Sequence, residues 1–132
     1  MTSFFMITEN KEQLNYVLSK LSSLSFVGGI ILFGSQINGK SRKDSDIDIA
    51  ILTRNIDKNQ EAKIMGFSSE RVDILIFDKL PLVIKFRVIK EGKILFLKDE
   101  KLYHEIKYET IRKYLDFAGF INNFYRRVIK NV

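Results

Sequence analysis

The feature that most constrains this chain is a glycine–serine pair followed, ten residues later, by two aspartates that open an apolar segment. Gly34 and Ser35 are the pair, and Asp46 and Asp48 flank a single isoleucine ahead of apolar residues 49–52. Because side chains alternate across a strand, the two aspartates are predicted to share one face while the isoleucines pack on the other. Their Cα atoms would lie ~6.6 Å apart, so both carboxylates could bind one ion or bridge two.

A third acid stands in a second apolar segment. Asp73 lies within residues 72–77, which read as another buried strand. A buried carboxylate without a partner costs free energy, so the pattern favours an Asp73 that joins Asp46 and Asp48 around bound cations. An ion pair between Asp73 and an arginine or lysine is the structural alternative.

Each part of the motif also has a simpler interpretation. A calcium loop starting at Asp44 would need glycine at its sixth position and an acid at its twelfth, where the chain has Ile49 and Asn55. Asp44 and Ser45 are adequately explained as turn formers, whereas Asp48 sits too far into the apolar segment for that role. A glycine–serine pair alone is more often an ordinary turn than a phosphate site.

The glycine–serine pair fits a phosphate site when it is taken together with the basic residues after it. Gly34 has no Cβ and allows close approach of backbone N–H groups to an anion, and Ser35 adds a hydroxyl. Residues 34–44 read as a polar, basic loop. Lys40, Arg42 and Lys43 in this loop are candidates to screen the charge of a triphosphate.

Composition narrows the choice of metal and partner. The chain has no cysteine and a single histidine, His104, which we expect on a solvent-facing position, so the residues favour a hard cation held by oxygen, Mg²⁺ or Mn²⁺, over zinc. A net charge of +6 is compatible with a phosphate-bearing partner. Absence of cysteine makes a cytoplasmic location the default expectation, and no apolar run approaches membrane length.

The 132 residues are predicted to form one α/β (α+β) domain, residues 1–132, with a small mixed sheet flanked by helices. Apolar periodicity, turn residues and helix-capping residues give the element order. We expect helices over residues 10–24 (capped by Asn10), 80–91 (ended by Gly92) and 99–130, strands over 26–33, 46–52, 72–77 and 93–97, and a loop or weak short helix over 53–69. The first helix is predicted to pack through one apolar stripe, formed by Leu14, Val17, Leu18, Leu21 and Leu24.

The predicted C-terminal helix is apolar around more than one face. Its aromatic residues recur at helical spacing, and core packing is their first explanation. The apolar surface is nevertheless wider than a small monomer can cover, which raises the hypothesis of a protein-binding face, including a homo-oligomer formed through this helix. The aromatic residues are Tyr103, Tyr108, Phe117, Phe120, Phe124 and Tyr125. One apolar stripe consists of Ile111, Leu115 and Ala118, and the other of Phe117, Phe120, Ile121, Phe124 and Val128.

Taken together, Gly34 and Ser35, the pair Asp46 and Asp48, and the later strand acid Asp73 resemble the minimal nucleotidyltransferases of the DNA polymerase β superfamily. The resemblance implies a mixed sheet flanked by helices. It also implies two Mg²⁺ ions bound by the three acids, phosphate contacts from the glycine–serine pair, and transfer of a nucleoside monophosphate, often AMP from ATP.

Within that superfamily, the chain resembles the MntA antitoxins that pair with HEPN ribonuclease toxins. The resemblance lies in its short length and its long terminal helix. This implies transfer of AMP to a tyrosine of a HEPN toxin partner. Gly39 of the family pattern is kept. The family's common form has arginines soon after the glycine–serine pair, whereas this chain has Gln36 and Asn38, so Lys40, Arg42 or Lys43 would have to replace them.

Two other functions stay open at this point. A non-catalytic antitoxin could neutralise its partner by contact. The same chemistry could also act on a nucleic-acid 3′ end or a small molecule, although the chain has no added domain to hold such an acceptor.

Overall fold

A computed structural model describes residues 3–4, 11–34 and 47–130 of the chain. Several candidate residues of the sequence lie outside the described part. They are Asn10, Ser35, Gly39, Lys40, Arg42, Lys43 and Asp46, and their predicted roles stay predictions.

Five strands and four helices form the described fold. The strands are β1 (Ser3–Phe4), β2 (Val27–Phe33), β3 (Ile47–Thr53), β4 (Val72–Ile76) and β5 (Lys93–Leu97). The helices are α1 (Lys11–Ser22), α2 (Lys58–Met65), α3 (Leu82–Glu91) and α4 (Glu100–Lys130), with a 3₁₀ turn at Phe77–Lys79.

The predicted elements are largely confirmed, with boundaries shifted by one or two residues. Two are different. Residues 53–69 contain a regular helix, α2, because Asp57 caps it: the Asp57 carboxylate accepts from the Gln60 backbone N–H at 2.8 Å, and the Gln60 side chain accepts from the Asp57 N–H at 2.9 Å. The two-residue strand β1, which pairs with β5, was not predicted.

The sheet has the order β1-β5-β2-β3-β4 and is mixed, as expected. β3 and β4 run parallel, while the pairs β2–β3, β2–β5 and β1–β5 are antiparallel. Parallel neighbours need a crossover connection, and α2 provides it between β3 and β4. The C-terminal end of β2 and the N-terminal ends of β3 and β4 therefore meet at one edge of the sheet.

Helices cover the two faces of the sheet unequally. The larger core cluster lies on the face covered by α1 and α2. Four residues of the predicted stripe, Leu14, Val17, Leu18 and Leu21, are buried there, and the fifth, Leu24, is partly buried against the cluster. The smaller cluster lies on the face covered by α3 and α4 and includes Ala50, Phe77 and Leu102. Alternate residues of β3 serve the two clusters, which confirms that Ile47 and Ile49 pack on the face opposite Asp48.

The start of α4 is held against the sheet. Gly28 belongs to β2, and a Cβ on it would lie 2.7 Å from Leu102 Cδ2, so only glycine leaves room for the helix here. Asp99 caps α4 by accepting from the Leu102 N–H at 3.0 Å, while its other carboxylate oxygen accepts from Arg54 Nε at 2.9 Å. Arg54 also donates to Glu105 at 3.0 Å. These contacts tie the end of β3 to the first turns of α4.

The second half of α4 corrects the core-packing prediction. Phe117, Phe120, Phe124 and Tyr125 are exposed, with exposed fractions of 44%, 66%, 57% and 61%, and so is Tyr108. Tyr103 is half-buried, and His104 is exposed as predicted. The physical reason is length: α3 has 10 residues and α4 has 31, so α4 extends well past its neighbour. Despite that length, none of the helices in the described ranges is both long and apolar enough to cross a membrane.

We expect Asp99→Asn to lower stability at neutral pH by about 0.5 kcal/mol, because asparagine keeps the helix cap but loses the charge paired with Arg54. The hydrogen bond from Arg54, followed by that from the Leu102 N–H, lowers the pKa of Asp99. Because the pKa of Asp99 is lower in the folded than in the unfolded state, its carboxylate stabilises the fold fully above about pH 3.9. This stabilisation is lost as the pH falls through the pKa of the folded state.

Chemical unfolding of both proteins between neutral pH and pH 3 measures this difference. The gap between wild type and variant should close at the acid end. A gap that stays constant across the whole range would contradict the assigned ion pair.

Candidate active site

The site begins where β2 ends, at Gly34. This glycine has φ +89°, a backbone conformation that residues with a Cβ rarely adopt. It follows Phe33, whose partner across the antiparallel β2–β3 ladder is Asp48. The turn after β2 therefore starts directly beside the first described carboxylate.

Asp48 lies over this glycine. A Cβ placed on Gly34 would sit 2.6 Å from Asp48 Oδ2, closer than such atoms approach in proteins. Glycine is thus required twice at this position, by its φ and by the space that the carboxylate occupies. Asp48 is half-buried, and one of its carboxylate oxygens lies beside Gly34.

Asp73 is the register partner of Asp48 in the parallel β3–β4 pair. Neighbouring strands lie about 4.8 Å apart, so the two Cα atoms are close. The flanking pairs, Ile47 with Val72 and Ile49 with Ile74, all belong to the core cluster on the α1–α2 face. Alternation therefore turns both aspartates to the α3–α4 face, where they lie side by side in backbone register.

Asp73 is exposed, which corrects the expectation of a buried acid. The reason is that β4 is the edge strand of the sheet and Asp73 lies near its start. Its neighbours Val72 and Ile74 point to the opposite face and are buried. The desolvation argument for a partner therefore fails. What remains is an argument from position, because two carboxylates on adjacent strands and one face bring oxygen ligands for a cation close together.

A full three-acid metal site cannot be assembled from the described residues alone. No group of three histidine, cysteine, aspartate or glutamate side chains able to hold a metal occurs within 11–34 and 47–130. Asp46, the predicted third ligand, lies immediately before the described start of β3. The described pair supplies carboxylate oxygens only, which is the donor chemistry that Mg²⁺ and Mn²⁺ prefer, so the residues fit such an ion.

The sequence showed the glycine and aspartates of the site, but it did not show the strand residue that pairs with Asp48. Gly34 and the alternating aspartates were visible as a motif. The contribution of Phe33 was missed: this half-buried residue packs against the α3–α4 face cluster and is the register partner of Asp48. Cross-strand partners depend on topology, and no local sequence signal identifies them.

A family model described as polymerase beta, nucleotidyltransferase matches residues 12–101. This match covers about two thirds of the chain and includes Gly34, Asp48 and Asp73.

One relative has high sequence identity over part of its length. It is a protein of Methanocaldococcus jannaschii provisionally named a protein adenylyltransferase, 41% identical over 73 residues. The aligned region is 55% of this chain and 58% of that protein, so the chain matches little more than half of the relative's length.

Solved structures share the fold at low sequence identity. A chain of a toxin–antitoxin complex with AMP-PNP superimposes with a TM-score of 0.65, covering 91% of this chain and 98% of its own, at 22% identity. A chain from the complex of a tri-AMPylated Shewanella oneidensis HEPN toxin with an MNT antitoxin gives a TM-score of 0.58, covering 89% and 93%, at 20% identity. At these identities the likeness establishes the fold.

Replacing Gly34 by alanine tests the geometry of the turn. We expect Gly34→Ala to destabilise the protein by about 1–2 kcal/mol, because alanine disfavours the left-handed backbone and its Cβ displaces the Asp48 carboxylate. Thermal or chemical unfolding measures the loss. Gly119→Ala is the matched control, since a Cβ there meets nothing within 4 Å and α4 should be unchanged or slightly stabilised. Equal effects at the two glycines would disprove the contact.

Proposed function

The chain belongs to the polymerase beta nucleotidyltransferase family, and from that premise we propose that it transfers AMP from ATP to a protein hydroxyl group. The observation that carries this proposal is the convergence of Gly34, Asp48 and Asp73 at one edge of the sheet. Family membership supports nucleotidyl transfer. The name of the Methanocaldococcus relative supports a protein as acceptor.

We propose that Asp46, Asp48 and Asp73 hold two Mg²⁺ ions, with Mn²⁺ as a substitute. Asp46 precedes Asp48 by two residues, so continued strand alternation would place it on the same face. When bound, such ions polarise the α-phosphate and stabilise charge on the attacking and leaving oxygens.

The glycine turn would bind the triphosphate of ATP. Backbone N–H groups after Gly34 and the Ser35 hydroxyl are assigned to the β- and γ-phosphates, and Gly39 is assigned to the same nucleotide-binding segment. Lys40, Arg42 and Lys43 are assigned to the remaining phosphate charge. These assignments follow from the motif and from the position of Gly34 beside Asp48.

The chemical step exchanges a phosphoanhydride bond of ATP for a phosphoester bond to the acceptor. The acceptor oxygen attacks the α-phosphorus of ATP, the bond from that phosphorus to the bridging oxygen breaks, and pyrophosphate leaves. We assign Asp73 as the residue that takes the proton of the acceptor hydroxyl, because Asp73 is exposed and accessible to an acceptor carried by another protein, while Asp48 is half-buried against the turn.

The proposed acceptor is a tyrosine of a HEPN toxin, which would make this protein an antitoxin. Support comes from the fold shared with chains of MntA–HepT complexes, one of which contains a tri-AMPylated HEPN toxin. A contact antitoxin is the second candidate. The observation in its favour is the exposed apolar face of α4, which offers a surface for neutralisation by binding alone.

Asparagine variants of the two described acids test the enzyme. We expect Asp48→Asn and Asp73→Asn each to lower AMP transfer from labelled ATP in Mg²⁺ at least about 100-fold, because a lost metal ligand removes several kcal/mol of transition-state stabilisation. Asp78→Asn is the matched control: Asp78 is an exposed acid in the 3₁₀ turn beyond the opposite end of β4.

The acceptor assay uses the HEPN protein encoded beside this gene, where one exists, and follows label into that protein and its toxicity. Label on a tyrosine, lost in both asparagine variants, is the expected result. Neutralisation that survives both substitutions without label would establish the contact antitoxin instead. Label on RNA or a small molecule and never on protein would overturn the proposed acceptor class.

A further inference from the structure

The outer half of α4 carries an apolar stripe that no described part of the chain covers. Beyond Tyr114 every described residue of the helix is exposed except the half-buried Ile121. Phe117 and Phe124 are 44% and 57% exposed, and Val128 is 47% exposed. We call Phe117, Ile121, Phe124 and Val128 the outer stripe. It extends along roughly 16 Å of helix.

The outer stripe continues the face by which α4 packs on its own domain. Residues seven apart in a helix return to nearly the same direction, within about 20°. Phe117 and Phe124 therefore point in nearly the same direction as Thr110, which is buried. Ile121 and Val128 point in nearly the same direction as Tyr114. The Tyr114 ring stacks on Phe86 of α3, with ring centroids 3.8 Å apart and an angle of 9° between the ring planes. The stripe therefore faces the side on which α3 and the sheet lie.

This arrangement makes a notch with the domain as one wall and the outer half of α4 as the other. A flat bilayer cannot reach the stripe along its length, because the domain projects on the same side of the helix. Two copies with parallel helices are excluded for the same reason, since the two domains would occupy one space. An antiparallel pair has no such conflict, because each outer half fills the notch of the other copy.

From this geometry we propose that the protein forms a two-fold symmetric dimer in which the outer stripes of two copies of α4 pack antiparallel. A two-fold interface uses one surface twice, and the notch and the helix that fills it are both present in each chain. The inference is independent of the proposed chemistry.

The charges on the outer half permit this pairing. Arg126 and Lys130 point away from the stripe by the 3.6-residue period, so they remain in solvent when the stripes meet. Arg127 lies at its flank. Within the part of the chain that the structure describes, these three cations form no ion pair. In an antiparallel pair the helix dipoles also attract.

The area available is sufficient for a weak but specific dimer. The stripe and its exposed flanking neighbours Phe120 and Tyr125 would bury roughly 500 Å² per protomer, or about 1,000 Å² in total. This value is near the lower bound for specific interfaces, so we expect a weak dimer that dissociates on dilution.

Light scattering on the full 132-residue chain, over concentrations up to ~100 µM, tests the proposal. We expect the mass to approach twice 15.4 kDa as concentration rises. Phe124→Glu should raise the dissociation constant at least about tenfold, because a charge would be buried in the seam. Asn123→Glu is the matched control, an adjacent exposed residue on the opposite face with the same charge introduced, and it should leave the constant unchanged.

Single cysteines give an independent readout, since the chain has none of its own. Near the two-fold axis Ile121→Cys should form an intermolecular disulfide in oxidised glutathione, whereas Asn123→Cys on the outer face should not. Far-UV circular dichroism checks that each variant keeps its helix content.

Three outcomes would overturn the dimer: a monomer throughout the concentration range, equal effects of Phe124→Glu and Asn123→Glu, or faster crosslinking at position 123 than at 121. A monomer that instead binds anionic vesicles, or an added HEPN protein, through the outer stripe would assign this face to that occupant.

Discussion

The parallel pairing of β3 with β4 is the constraint on which the rest of the site depends. It places Asp48 directly beside Asp73, although 24 residues separate them in sequence. The crossover helix α2 that makes parallel pairing feasible packs on the opposite face, where its Ile64 joins the larger core cluster. The face that carries the two carboxylates is therefore the one that α2 does not cover, and Gly34 lies beside Asp48. A hairpin between the same two strands would not have produced this register.

The helix α4 has one continuous apolar face, which is packed in the core along its first half and exposed along its second half. Its first half completes the smaller core cluster and is held by the Asp99 cap and by Arg54. The second half presents the same apolar face to solvent. This difference arises because α3 is too short to accompany α4 along its length, and not because the amphipathic pattern of α4 changes. A helix of this form favours assembly, either with a second copy or with another protein, and its attachment to the end of β3 fixes its direction relative to the site.

Much of the fold was predictable because its elements have strong local signals. The stripe of α1, the break at Gly92 and the span of α4 were predicted from periodicity and from glycine or capping residues, with small boundary errors. The helix α2 was predicted only as a loop or weak helix, since its segment has few apolar residues and its stability comes from a capping box and a single buried isoleucine. The strand β1 was missed, because two residues carry no periodicity and only pairing with β5 defines them.

The sequence by itself determined which way Asp48 faces, because alternation requires it to oppose the packing of Ile47 and Ile49. It also predicted a turn at position 34, because glycine permits a backbone conformation that other residues resist. It also determined that α4 is apolar over an unusually wide face. The tertiary structure alone decided that Asp48 and Asp73 are register partners, that Asp73 is exposed, and that the aromatic residues of outer α4 lie in solvent. Those three properties depend on which strands pair and where neighbouring helices end, and such long-range relations are not encoded in any local pattern of residues.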